Sequence, residues 1–133
     1  MMNQIIAHFQ DGKVMRGHTM DFLPTKDRFH LIPSDQGPDA KPVEVLLADL
    51  KGVFFVKDLK GDGRRQKLNY FNPNDPPLGR KIRVSFKDGE VLQGYTQAYQ
   101  PGRPSFFVIP ADKNSNTERV FVLAAATKEV RLI

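Results

Sequence analysis

Apolar and polar side chains alternate along "KIRVSFKDG": Ile82, Val84 and Phe86 fall on one side, Arg83 and Ser85 on the other. A period of two is that of a β-strand with one buried face. After the Asp88-Gly89 turn the alternation resumes, with Leu92, Gly94 and Thr96 sharing a face opposite Gln93 and Tyr95. A two-residue turn would pair Val84 with Gln93 and carry Gln93 to the core face. A three-residue loop, Lys87-Asp88-Gly89, pairs Ser85 with Val91 and Val84 with Leu92, which keeps the apolar set together. That loop is a type I turn closed by a glycine in the left-handed region, a G1 bulge. Similar short runs, "RFHLIP", "SFFVIP", "PVEVLL", "RVFVLA", "GVFFV" and "EVRLI", complete an all-β pattern. The links "ADLKG" and "AATKE" each have room for one 3₁₀ turn.

The same hairpin is spelled twice. "FQDGKVMRG" starts at Phe9 and "FKDGEVLQG" at Phe86, an offset of 77 that holds without a gap. At this offset Ile5 meets Ile82, Gly17 meets Gly94, Pro24 meets Pro101, Phe29 meets Phe106 and Val53 meets Val130. The expectation is a tandem duplication: repeat one over 1–56, a basic Pro/Gly/Asn-containing connector over 57–80, and repeat two over 81–133. Gly17 and Gly94 lie mid-strand on the inward side, where glycine marks a bend or a close backbone approach. Five short, bent strands per repeat suit two similar small β-barrels.

"FQDGKVMRGHTMDF" resembles the first motif of the Sm-like small β-barrel family, in which an Asp/Asn-Gly turn precedes a bent, glycine-bearing strand. "ADLKGVFFV" resembles its second motif, with Lys51-Gly52 where an Arg-Gly pair is usual. The resemblance implies Sm-like or SH3-like five-stranded barrels, association through edge strands and, in some members, RNA binding. The chain departs from the pattern at Asp21, where an RNA-binding loop carries Asn nearby, and at Lys128-Glu129, which replaces the basic-Gly pair in repeat two. As a whole it also resembles uncharacterised bacterial proteins built from this same short unit.

Positions at which the copies differ carry the functional signal. Ile6 and Phe54 are outward and apolar where repeat two has Arg83 and Arg131, and Phe121 replaces Glu44. These three form a candidate apolar interaction patch. The connector supplies one cover for it, since Leu59, Leu68, Tyr70 and Phe71 lie among its charges and fold back on repeat one in this reading; a second copy of the chain is the other. Charge is segregated too. Residues 1–56 hold six basic and seven acidic side chains, 57–83 hold eight against three, and 84–133 hold six against five. Lys57, Lys60, Arg64, Arg65, Lys67, Arg80, Lys81 and Arg83 are therefore the candidate patch for an anionic partner. The plainer account is a solvated hinge that also blunts a strand edge.

Candidate chemistry is sparse. The absence of Cys removes thiolate catalysis and Cys-based metal sites. His8, His18 and His30 all fall in repeat one and read as surface histidines rather than a metal set. "DKNSNTE" at Asp112 starts like a calcium loop but has Thr117 at the position of the invariant Gly and Leu123 at that of the bidentate Glu. Phe22 and Tyr99 match in the β-loops and read as plugs for the barrel ends. No phosphate loop, nucleophile elbow or dinucleotide fingerprint occurs. No signal peptide or run of about 18 apolar residues is present, so the expectation is a cytoplasmic protein without membrane attachment. The function expected is non-catalytic: a binding or scaffold module for a protein partner, with no cofactor and no metal. An Sm-like RNA binder using the basic connector is the alternative, a homo-oligomer through edge strands is a third reading, and a small enzyme or metal-binding protein ranks behind them.

Overall fold

Each Asp-Gly hairpin folds in the three-residue register. β1 (Asn3–Phe9) pairs with β2 (Val14–Thr19) through Ile5↔Gly17 and Ala7↔Met15, and β6 (Arg80–Phe86) pairs with β7 (Val91–Thr96) through Ile82↔Gly94 and Val84↔Leu92. Gly12 (φ 93°) and Gly89 (φ 96°) close the turns in the left-handed region that a side chain disfavours. The computed structural model describes residues 2–60 and 69–133. Over these residues β3 (Arg28–Pro33), β4 (Val43–Leu46) and β5 (Leu50–Val56) follow the first hairpin. β8 (Ser105–Pro110), β9 (Thr117–Leu123) and β10 (Thr127–Leu132) follow the second. A 3₁₀ turn over Leu47–Asp49 separates β4 from β5, and another over Ala124–Ala126 separates β9 from β10.

The mid-strand glycines mark a close backbone approach. A Cβ on Gly17 would lie 2.1 Å from the Ile32 carbonyl oxygen, and one on Gly94 would lie 2.1 Å from that of Ile109. At both places a neighbouring strand crosses where no side chain fits.

The ten strands form one antiparallel sheet in the order β10-β6-β7-β8-β9-β5-β1-β2-β3-β4. The all-β expectation holds, but two closed tandem barrels do not form: the sheet is open and runs unbroken through both halves. The join is β5 against β9, with Gly52↔Val122, Val53↔Phe121, Phe54↔Val120 and Phe55↔Arg119 in register. Two cores result. One gathers Ile5, Ala7, Phe29, Leu31, Val45, Leu50, Val53 and Phe55; the other gathers Ile82, Val84, Phe86, Phe106, Val108 and Ala126. β9 serves both, because strand alternation sends Phe121 and Leu123 into the first core and Val120 and Val122 into the second. β5 does the converse: Val53 and Phe55 enter the first core, while Phe54 packs against the second.

The connector also departs from expectation. Its described later part, 69–80, lies on the second half rather than covering the first. Asn69 brackets β7: its Nδ2 donates to the Val91 carbonyl (2.8 Å), and its Oδ1 and carbonyl oxygen accept from the Gln93 amide and side chain (2.8 Å each). Phe71 meets Tyr95 edge-on with ring centroids 5.2 Å apart. That contact accounts for the burial of Tyr95 on a face that the alternation alone assigns to solvent. The connector's first residues touch both halves: the Leu59 carbonyl accepts from Arg16, and Asp58 exchanges two hydrogen bonds with Asn116. No helix among the described residues is long and apolar enough to cross a membrane.

Candidate interaction surface

The apolar residues singled out by comparing the halves lie in the seam, so they are not an exposed patch. The register runs Ile6↔Phe54↔Val120 straight across β1, β5 and β9. Phe121 is 1% exposed and Ile6 9%. Full burial of a phenylalanine contributes up to roughly 3 kcal/mol. Phe121 also meets Phe22 and Phe107 edge-on, with centroids 5.1 and 5.0 Å away. The substitution pattern now has a physical cause. A row that continues across the seam is apolar; the matching row in the second half, Arg83↔Arg131, ends at the sheet edge and is charged.

A second feature of the seam escaped sequence reasoning. Between His8↔Gly52 and Phe9↔Leu50 the ladder slips by one residue, leaving Lys51 as the extra residue of a bulge. Bulges re-aim side chains. Here the lysine crosses to the other half, its Nζ donating to Asp88 Oδ2 (2.7 Å) and Glu90 Oε1 (2.6 Å) while lying over the Phe86 ring at 4.6 Å. Lys51 is only 8% exposed, whereas both carboxylates are about half-exposed. The Lys51 ammonium, with the Glu90 amide, holds the Asp88 carboxyl below its ordinary range. Burial pushes Lys51 down, but its hydrogen bonds to both carboxylates, with their charge, outweigh that and leave its pKa raised. The available signal was a lysine at the same place in both halves, Lys51 and Lys128.

Asp88, depressed in the fold, stabilises it above the ordinary carboxylate value and ceases to do so as pH falls through its folded pKa. Lys51, raised, stabilises up to the ordinary lysine value and ceases to do so as pH climbs through its folded pKa. Lys51→Met keeps the packing on Phe86 and removes the clamp. It is expected to cost about 1 kcal/mol near neutrality, solvent screening of the carboxylates limiting the loss. Denaturant midpoints taken across pH check this: the deficit of the variant should shrink in acid, and a constant deficit would contradict the clamp.

The basic residues proposed from the sequence fall in several places. Lys57 and Lys60 follow β5, Arg80, Lys81 and Arg83 belong to β6, and Arg64, Arg65 and Lys67 lie outside the described residues. Lys81 sits over the Phe71 ring at 4.9 Å. The ladder adds a residue that the sequence grouping lacked: Arg131 of β10, directly opposite Arg83.

The histidines disperse. His8 packs against Phe54 with ring centroids 4.4 Å apart and planes tilted by 50°, and His30 Nδ1 is 2.7 Å from Asp21 Oδ2. Although burial pushes Asp21 up, the His30 amide and ring and the Thr19 hydroxyl hold its carboxyl low. Among the described residues no three His, Cys, Asp or Glu side chains gather to hold a metal ion. Asp112 accepts from the Asn114 amide, an Asx turn inside a polar hairpin loop. Phe22 packs on Phe29 and Phe55, and Tyr99 on Phe106, as caps to their cores.

A model of a family of unknown function, DUF6982, matches residues 1–133. The chain belongs to that family. No curated protein and no solved structure matches it. The family match spans both halves and the connector together.

Proposed function

We propose that the chain is a duplicated Sm-like or SH3-like unit acting as a non-catalytic binding module, and that it recognises a protein partner by strand addition. One observation carries this reading. β5 accepts β9 as an added antiparallel strand, so the fifth strand of this unit is a receptor for a further strand. β10 holds the same place in the second half and ends the sheet, with β6 on one flank and no strand among the described residues on the other. An open edge offers unpaired main-chain groups, and recognition by strand addition uses them for affinity while alternate side chains supply specificity.

A second copy of the chain is a poor partner for that edge. Repeating the seam between copies would place β10 on β4, turning Arg131 and Glu44 toward apolar cores where the seam has Phe54 and Phe121. Burying unpaired charges there is costly. The edge therefore suits a different protein. A photoreactive amino acid at position 131 of the full chain, activated in a cell lysate, is expected to give protein adducts whose attachment maps to an extended segment. Adducts to RNA alone would favour the nucleic-acid reading and contradict this one.

A further inference from the structure

The seam shows what its receptor edge requires, and the free edge keeps the polar half of it. Lys128 is the counterpart of Lys51, and the ladder slips at the same place: between Thr127↔Phe86 and Glu129↔Ser85, Lys128 is the extra residue. Where the edge is covered, the bulged lysine is buried on two carboxylates of the half that supplies the added strand. Where the edge is open, Lys128 is exposed. Beside it, Arg131 and Arg83 stand directly opposite each other, an arrangement unfavourable for two like charges on neighbouring strands. Glu129 is the carboxylate that answers them, 3.4 Å from the Arg131 guanidinium and half-exposed. Three cations thus border the open edge of β10, with one carboxylate among them.

Resting on the strand-addition reading, we infer that the β10 edge takes an extended, acidic protein segment. Its main chain pairs with β10, and its carboxylates meet Lys128 from the bulge and Arg131 and Arg83 from the outer face. The charge replaces the apolar row that fixes the internal seam, so the same backbone receptor is retuned from an intramolecular apolar strand to an acidic one. Opposite charge across the edge sets partner choice and speeds encounter.

The test uses the full chain and four fluorescent probes: ten-residue peptides alternating Glu–Val, Gln–Val and Lys–Val, and a ten-nucleotide oligouridine. Anisotropy reports binding, and amide hydrogen exchange reports where. The Glu–Val peptide is expected to bind and to slow exchange in Thr127–Leu132. The double variant Lys128→Glu/Arg131→Glu, altered only at exposed positions, is expected to weaken it about tenfold. Equal binding of the Gln–Val peptide, or no effect of the variant, would overturn the acidic specificity while leaving strand addition in place. Acidic binding without protection of β10, or tighter binding of oligouridine, would overturn strand addition itself. Failure of every peptide to bind would overturn both.

Discussion

Phe121→Glu is expected to unfold the seam. The substitution writes into β9 the residue that β4 carries at the matching place, so it alters no local β-pattern on an outer edge. In the seam it removes a ring that is 1% exposed and packed on Phe22 and Phe107, and leaves a carboxylate among Phe29, Phe55 and Val53. Loss of the ring and burial of an unpaired charge together are worth about 4 kcal/mol or more, a large part of a small domain's stability. Glu44→Gln, at an exposed position of β4, is the matched control and should change little. Thermal or urea denaturation of the two variants decides the matter: similar midpoints would mean that β9 is not shared between the cores. The reciprocal change, Glu44→Phe with Arg131→Phe, should turn both outer edges into copies of the seam. Because that contact is head-to-tail and does not close, mass by light scattering should rise with concentration.

Gly94→Ala is the second large effect, and its cause is spatial. The added Cβ would lie 2.1 Å from the Ile109 carbonyl oxygen and 2.8 Å from Val108 Cγ1, and the obstacle is main chain rather than a movable side-chain tip. β7 and β8 must separate, at about 3 kcal/mol or more. Gly12→Ala provides the contrast. Nothing lies within 4 Å of its Cβ site, and its cost comes from a left-handed backbone with φ 93°, about 1–2 kcal/mol. Chemical denaturation of the two variants should rank them in that order. A Gly94→Ala protein as stable as the parent would mean that β7 and β8 do not approach so closely.

The hairpins were legible because their determinants are local. An Asp-Gly turn and a period of two constrain the register within nine residues, and Ser85↔Val91 follows from keeping Leu92 beside Val84. Gly17 and Gly94 signalled close approach because no side chain is tolerated there. The seam was half legible. Ile6, Phe54 and Phe121 stood out as apolar residues on a polar face, but periodicity reports that a face is covered and not by what. The cover is the other half of the same chain, more than sixty residues away for the Phe54–Val120 pair. Alternation places Tyr95 in solvent for the same reason: its neighbour Phe71 belongs to a connector without strand periodicity. In the sequence Lys51 reads only as part of a Lys-Gly pair. Its bulge depends on how β1 and β5 meet, which a single strand's sequence does not encode.

β5 and β9 join the two halves into a single sheet, and β10 ends it with an open edge. Native-state amide hydrogen exchange tests that most directly. Amides of Leu50–Val56 and Thr117–Leu123 should be among the slowest in the chain and exchange only with global unfolding, while those of Val43–Leu46 and the outward-facing ones of Thr127–Leu132 exchange through local opening. Seam amides that exchange as fast as those of β4 and β10 would show two halves that part readily, and would contradict the shared sheet.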